Sequence, residues 1–340
     1  MKKIIYLAIL FPFMLSAQQS DVTVSKAINR IAFGSCSQQN LTGNQLWSEI
    51  NATNPDLWIW LGDNVYSDGI DMKQRRKDYD LQKSHPDYKL LLKQTEVIGI
   101  WDDHDFGVND GGKEYPMKDE SKEELFRFLD VPDDHPARAR KGAYQSYTYA
   151  SKQGAVKIIL LDARYFRDSL KWNNPGTAEK EALVNENGDV LGEVQWKWFK
   201  EQLSEEGVDL FILGTGIQVI PTQHRWEKWS NFPTARKRLM EVISSANAPL
   251  VFISGDRHLS EVSRVEIEDY PYPVWEFTSS SLNSPSGLKE DLNKYRVGDK
   301  IHVPNFASME IDWKTDKPVL QLRYYGRNNT ELGQHSIQFE

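Results

Sequence analysis

The stretch VIGIWDDHDFGVND, residues 97–110, decides how the rest of the chain is read. Two isoleucines and a valine form an apolar run that reads as a buried strand. It stops abruptly at Asp102, Asp103, His104 and Asp105, and Asn109 and Asp110 follow. In open α/β sheets, ligands bind beyond the carboxyl ends of the strands, which is where this polar end falls. Three carboxylates around one imidazole repel unless a cation or a proton holds them. The stretch is therefore either a metal-binding corner or a solvated acidic turn, and the other strands must decide between them.

Working outward, the same strand-then-polar pattern recurs. Residues 30–34, RIAFG, end in Ser35-Cys36-Ser37, and a helix is expected over 42–52 with Leu46, Trp47 and Ile50 on one face. Residues 56–61, DLWIWL, are nearly all apolar and so are covered on both faces; they end in Gly62-Asp63-Asn64-Val65-Tyr66. A charged helical region over 71–94, broken near His85-Pro86, is expected to present its charges to solvent. After a helix near 122–128, the strand 156–161 ends in Asp162 and Arg164. A helix over 193–205 lines up Trp196, Phe199 and Leu203 and leaves Trp198 off that face. Residues 208–213 form a strand running into GTGIQV. The helix over 233–243 starts on a proline, a favoured first-turn residue, and the strand 249–254 ends in Gly255-Asp256-Arg257-His258. Beyond it, strands are expected at 262–267, 274–277, 307–313, 319–325 and 336–339 with no helices between them, and a turn at 314–318. Alternating strand and helix followed by a run of strands predicts layered sheets flanked by helices.

One acidic strand end is ordinary, because Asp suits turns and caps. Five ends carrying the Cys36 thiol, the Asp63 carboxylate and Tyr66 phenol, the Asp102–Asp105 cluster, Arg164, and Asp256 with His258 point instead to one shared site. These donor types suit a hard-to-borderline metal ion. Glycine before Asp63 and before Asp256 lets the chain turn tightly there.

Composition narrows the function. Two lysines, an apolar core from Ile4 to Leu15 and a small-residue end make residues 1–17 a signal peptide for the general secretory route. That core is too short for a transmembrane helix. Residues 18–340 are expected to form a single domain, since no linker, repeat or low-complexity run interrupts them. Loss of Lys2 and Lys3 takes the formal charge from -8 to -10, a poor match to nucleic acid, which needs a basic surface. The expected location is periplasmic or extracellular. The only cysteine, Cys36, excludes an internal disulfide framework. A lone buried cysteine is usually a small hydrophobe, which its polar neighbours argue against here.

The pieces FGSCS (33–37), LGDNVY (61–66), WDDHDFGVND (101–110), LLDARYFR (160–167), GIQV (216–219) and SGDRH (254–258) occur in one order. Together they resemble the PhoD-like alkaline phosphatase/phosphodiesterase family of the metallophosphoesterase superfamily. The resemblance implies an α/β fold, a layered αββα sandwich of two mixed β-sheets flanked by helices. It implies an exported phosphomonoesterase or phosphodiesterase that activates water at a binuclear or multinuclear metal site. It implies a ferric ion, Fe(3+), on Cys36, Asp63, Tyr66 and His258, and divalent ions such as Ca(2+) on Asp63, Asp103, Asn109 and Asp256. It further implies that His104 faces the phosphate or protonates the leaving group, with Asp102 and Asp105 orienting the ligands. Arg164 and Arg257 are candidate phosphate clamps, since guanidinium pairs bidentately with phosphate. Glu227 or His224 is the candidate for one more ligand, while His85, His135, His302 and His335 are assigned no role.

Two other readings remain: hydrolysis of phospholipid head groups on the same metals, and a non-catalytic surface-glycan binder drawing on the eleven tryptophans. Trp58, Trp60 and Trp101 fall on expected core strands. Trp172, Trp226 and Trp229 lie in loop-like stretches and are expected at a substrate entrance.

Overall fold

The computed structural model of this chain describes residues 20–286, 292–314 and 317–339; the expected leader, residues 1–17, lies outside them. The chain begins with β1 (Val22–Val24) and β2 (Arg30–Gly34), then α1 (Trp47–Ala52) and β3 (Leu57–Leu61). Helices α2 (Met72–Ser84) and α3 (Pro86–Gln94) lead to β4 (Glu96–Ile100), the short α4 (Asp103–Phe106) and α5 (Lys118–Phe128). Strands β5 (Gln145–Ala150) and β6 (Ala155–Leu161) precede a small excursion of β7 (Lys171–Asn173) and β8 (Glu181–Leu183). Then come α6 (Gly192–Leu203), β9 (Leu210–Thr215), α7 (Pro233–Ile243) and β10 (Leu250–Ser254). The remainder is β11 (Ser260–Val265), β12 (Val274–Ser279), β13 (Phe306–Asp312), β14 (Val319–Tyr325) and β15 (Glu331–Ile337).

Two mixed sheets result, as the sequence led us to expect. One runs β1-β5-β6-β9-β10-β12-β11, the other β15-β14-β13-β2-β3-β4, and β7 pairs with β8 alone. In the first sheet β6, β9, β10 and β12 are mutually parallel, and in the second β2, β3 and β4 are parallel. Side-chain alternation along each central strand sorts residues between two faces. Ile158 and Leu160, Ile212, and Val251 and Ile253 join the core shared by the sheets. Their sequence neighbours Ile159 and Leu161, Phe211 and Leu213, and Leu250 and Phe252 pack with Trp196, Phe199 and Leu239 of α6 and α7. Continuous apolar runs are thus explained by cover on both faces.

The sheets meet at their carboxyl edges. Ser35 and Ser280 form a parallel bridge between them. Ser35 Oγ donates to the Ser279 carbonyl at 3.1 Å, and Ser279 Oγ donates to the Phe33 carbonyl at 3.1 Å. This seam brings the ends of β2, β3 and β4 against the ends of β9, β10 and β12.

Several local expectations are corrected. The helix expected over 42–52 is a 3-10 turn at Thr42–Asn44 followed by α1. Strand β5, QSYTYA, was not foreseen because its polar residues are buried by partners: Ser146 Oγ donates to Gln202 Oε1 at 2.9 Å and Thr148 Oγ1 to Glu205 Oε1 at 3.1 Å. Strand β15 begins five residues before the expected 336 because it pairs along the length of β14. The charged face of α2 is not wholly solvated. Arg75 is fully buried and donates to the carbonyls of Ser67 at 2.8 Å and Gly69 at 2.9 Å, which pins the segment after β3.

Candidate metal centre

The polar ends of β3, β4 and β10 converge on one cavity of about 370 Å³, and Cys36 at the end of β2 stands behind it against Asp63. Asp63, Asp103, His104 and Asn109 line it from one sheet, and Asp256, Arg257 and His258 from the other. Trp226, Glu227, Asp110, Lys180 and Ser286 complete the wall. Backbone conformation marks the same residues. Cys36, Asp63, Asp110, Asp256 and His258 have φ of 56°, 49°, 57°, 64° and 54°. Such left-handed backbone is uncommon for residues with a Cβ and persists where surrounding structure over-determines it, often at functional sites. The two flanking glycines have steric reasons. A Cβ on Gly62, whose φ is +93°, would sit 2.3 Å from Asp102 Cβ, and one on Gly255 would sit 2.5 Å from the Leu61 carbonyl.

Three groups of donor atoms lie within 4.8 Å of one another among the described residues: Cys36, Asp63 and His258; Asp63, Asp103 and His104; Asp103, Asp110 and Glu227. Asp63 and Asp103 each belong to two groups. In the first, Cys36 Sγ is 3.3 Å from Asp63 Oδ2, which also accepts from the Tyr66 hydroxyl at 3.3 Å. That hydroxyl lies 3.2 Å from His258 Nε2. His258 Nδ1 donates to the Ser284 carbonyl, which fixes the ring and turns Nε2 toward Tyr66. Ser280 Oγ accepts from the His258 amide at 2.7 Å and lies 3.1 Å from Cys36 Sγ, bracing both.

Electrostatics describe a site that wants positive charge. Burial pushes the Cys36 thiol up to about 11, and the Asp256 charge adds to this. Burial, and then the Cys36 charge, raise Asp63 and Tyr66 well above their ordinary ranges. Burial followed by the Asp102 charge does the same to Asp256. Asp103 differs: burial opposes ionisation, but the Arg164 and His104 charges outweigh it and hold the carboxyl down at about 2.

The acids flanking the cavity are structural. Asp105 accepts from the amides of Asp63 at 3.2 Å, Asn64 at 3.3 Å and Asp102 at 2.8 Å, locking the ends of β3 and β4 together. Asp162 accepts from Trp101 Nε1 and from the amides of Ala143, Arg164 and Tyr165. Asp102 accepts from Arg164 Nε at 2.6 Å.

Arg164, a candidate phosphate clamp, is engaged by two carboxylates in this structure. It is fully buried, is not among the residues lining the cavity, and bonds Asp102 and, at 2.6 Å, Glu227. Arg257, by contrast, lines the cavity. Glu227 stands in the third donor group, whereas His224 stands in none of the three. Burial holds His224 well below its ordinary range, so it is neutral, and among the described residues neither ring nitrogen has a hydrogen-bond partner. Asn109 is exposed and donates to Asp110 Oδ2 at 2.5 Å. Trp226 reaches the cavity, but Trp229 is fully buried with its ring centroid 6.2 Å from that of Trp196, which removes it from any entrance. Gln218 of the GIQV piece bonds Glu261 and Thr278, away from the donors.

Asp68, Lys180 and Ser280 escaped the sequence reading, and Asp110, though part of the opening stretch, was given no role. Asp68 and Asp110 stand two and one residues beyond proposed ligands, a usable signal; Ser280 sits in a serine run that reads as loop, and nothing in the sequence marks Lys180.

Alkaline phosphatase D of Bacillus subtilis (strain 168) is 22% identical across 74% of this chain and 48% of its own length, so the chain spans about half of that relative. Among solved structures, PhoD superposes with a TM-score of 0.64 at 16% identity, covering 92% of this chain and 72% of its own. A purple acid phosphatase from yellow lupin (Lupinus luteus) gives 0.60 at 11% identity, over 92% of this chain and 54% of its own. A dimetal phosphatase from Danio rerio gives 0.55 at 12% identity, over 92% and 99%. These likenesses show the shared fold. The PhoD-like phosphatase family model matches residues 31–339, and the chain belongs to that family.

Proposed function

We propose that this chain is an exported, metal-dependent hydrolase of phosphate esters, acting on monoesters, diesters or both. The observation that carries the reading is Asp63, whose carboxylate belongs at once to the Cys36–His258 group and to the Asp103–His104 group. A shared carboxylate between two donor sets is the arrangement a two-metal site requires. The residues fit cations: Asp103 Oδ1 is buried and has no hydrogen-bond partner among the described residues, and buried Asp63 and Asp256 resist ionisation without compensating charge.

In this reading Cys36, Asp63, Tyr66 and His258 hold a ferric ion, because a trivalent cation favours the thiolate and phenolate forms. Asp63, Asp103, Asn109 and Asp256 hold a divalent ion such as calcium, which prefers oxygen donors; Glu227 is a further candidate. Bound there, such ions supply Lewis-acid charge and lower the pKa of water. The protein's own groups do the rest. His104 hydrogen-bonds Asp68 through Nδ1 and packs its ring 4.3 Å from that of Tyr66, leaving Nε2 to hold a proton for the departing alcohol oxygen. Arg257 pairs with the non-bridging phosphate oxygens. Residues 18–340 act as one domain, a reading supported by the shared core. The lysine-led apolar leader supports export.

Assays with p-nitrophenyl phosphate and bis(p-nitrophenyl) phosphate test this. Hydrolysis of at least one ester is expected, lost on chelation and restored by metal. His104→Ala is expected to lower kcat by about 10²-fold or more with metal retained. A metal-replete protein that cleaves neither ester sinks the reading.

A further inference from the structure

The excursion formed by β7 and β8 lies outside both sheets, yet it builds one wall of the cavity. The Ala182 amide donates to the Arg225 carbonyl at 2.7 Å, and Arg225 Nη1 donates to the Ala178 carbonyl at 2.7 Å. Asn231 Nδ2 closes the far end by donating to the Ala182 carbonyl at 2.8 Å. The hairpin and the loop carrying Trp226 are therefore a single rigid unit, although some forty residues apart in sequence.

This unit presents two groups to the cavity, Lys180 and Trp226. Lys180 is not a free surface lysine. Its ammonium sits 3.7 Å from the Trp172 ring centroid and 2.5 Å from Asp110 Oδ2. An aromatic face beneath and a carboxylate beside it fix the charge in place. Trp226 is half-buried, with the Arg225 guanidinium 4.6 Å from its ring centroid. A stationary indole costs little ordering entropy when a planar group stacks on it. The cavity, about 370 Å³, falls within the range of small-ligand pockets, about 300–1,000 Å³.

We propose that Trp226 and Lys180 are specificity-determining residues, and that the wall selects phosphate esters whose alcohol part carries a planar aromatic group, a nucleotide or aryl phosphate, over those with an aliphatic alcohol. The proposal rests on the phosphate-ester reading of the same site. Trp226 stacks the aromatic group while Lys180, held beside Asp110, faces the phosphate from the rim.

Calorimetric binding of AMP and of ribose 5-phosphate, each as its non-hydrolysable phosphonate analogue, to the metal-loaded protein separates the base from the phosphate. AMP is expected to bind about tenfold tighter or more, the scale of one base–aromatic stack. Trp226→Ala is expected to erase that preference while leaving metal content and inorganic phosphate affinity unchanged. Trp226→Phe is expected to restore most of it, which a merely structural loss would not. Lys180→Gln is expected to weaken both ligands alike. Equal binding of AMP and ribose 5-phosphate by the unaltered protein, or a preference that survives Trp226→Ala, overturns the proposal. Because binding is read without turnover, hydrolysis of glycerol phosphate with no AMP preference removes the wall and leaves the phosphatase. AMP preference with no hydrolysis of any ester does the reverse.

Discussion

Nδ1 of His104 lies 2.8 Å from Oδ2 of Asp68, on the loop that follows β3. Burial alone would lower the imidazole pKa, but this bond and the charges of Asp63 and Asp103 raise it to about 10. Asp68 thereby fixes the ring orientation and keeps Nε2 free for the cavity. Asp68→Asn is expected to lower kcat by at least about tenfold, against the 10²–10⁴ a positioned acid contributes, with KM nearly unchanged. Steady-state kinetics check this, and a fall in KM-derived affinity alone would place Asp68 outside the machinery.

Cys36 is buried beside Asp63 and Ser280, in surroundings that keep a metal-free thiol protonated. If it ligates a ferric ion, the purified protein absorbs visible light through its thiolate and phenolate ligands. Cys36→Ser is expected to weaken that band and reduce iron while divalent metal is retained. A spectrum and iron content identical to the unaltered protein would return Cys36 to a packing role.

Arg164 holds Asp102 and Glu227 with no exposure to solvent. Removing one member of a buried ion-pair network leaves uncompensated charge and costs about 3–5 kcal/mol. Arg164→Leu is therefore expected to shift the urea midpoint strongly, and more than Arg257→Leu does. Comparable midpoints for the two variants would contradict the division between a buried brace and a cavity residue.

Glu276 on β12 is fully buried and accepts from the amides of Val219 and Ile220. Burial raises its pKa from 4.5 to about 7, with those hydrogen bonds opposing. Between these values the folded state holds more protons than the unfolded one, so stability falls as pH rises through the window. Glu276→Gln cannot ionise and keeps one acceptor oxygen, which in the Oε2 position lies 2.6 Å from the Ile220 amide and 3.2 Å from that of Val219. Its melting temperature is expected to vary less than that of the unaltered protein between pH 4.5 and 7, and to exceed it at pH 8. Parallel pH profiles would show that Glu276 does not titrate there.

Much of this was readable from the strands, because apolar runs covered on both faces leave their polar ends as conspicuous breaks. Asp63, Asp103 and His258, which the fold brings into neighbouring donor groups, were singled out that way. What stayed hidden depends on long-range contact. The Ser35–Ser280 seam joins residues that no local pattern connects, and Lys180 matters only because its hairpin folds back onto the Trp226 loop. For Arg164 the partners were hidden for the same reason. Its residue type suits phosphate, but only the fold shows two carboxylates already engaging it.

The shared position of Asp63 is the centre of the account, and metal analysis of the purified protein beside its Asp63→Asn variant tests it most directly. The account predicts at least two metal equivalents in the unaltered protein and loss of metal from both donor groups in the variant. A metal-free unaltered protein, or a variant that keeps its full complement, would contradict it.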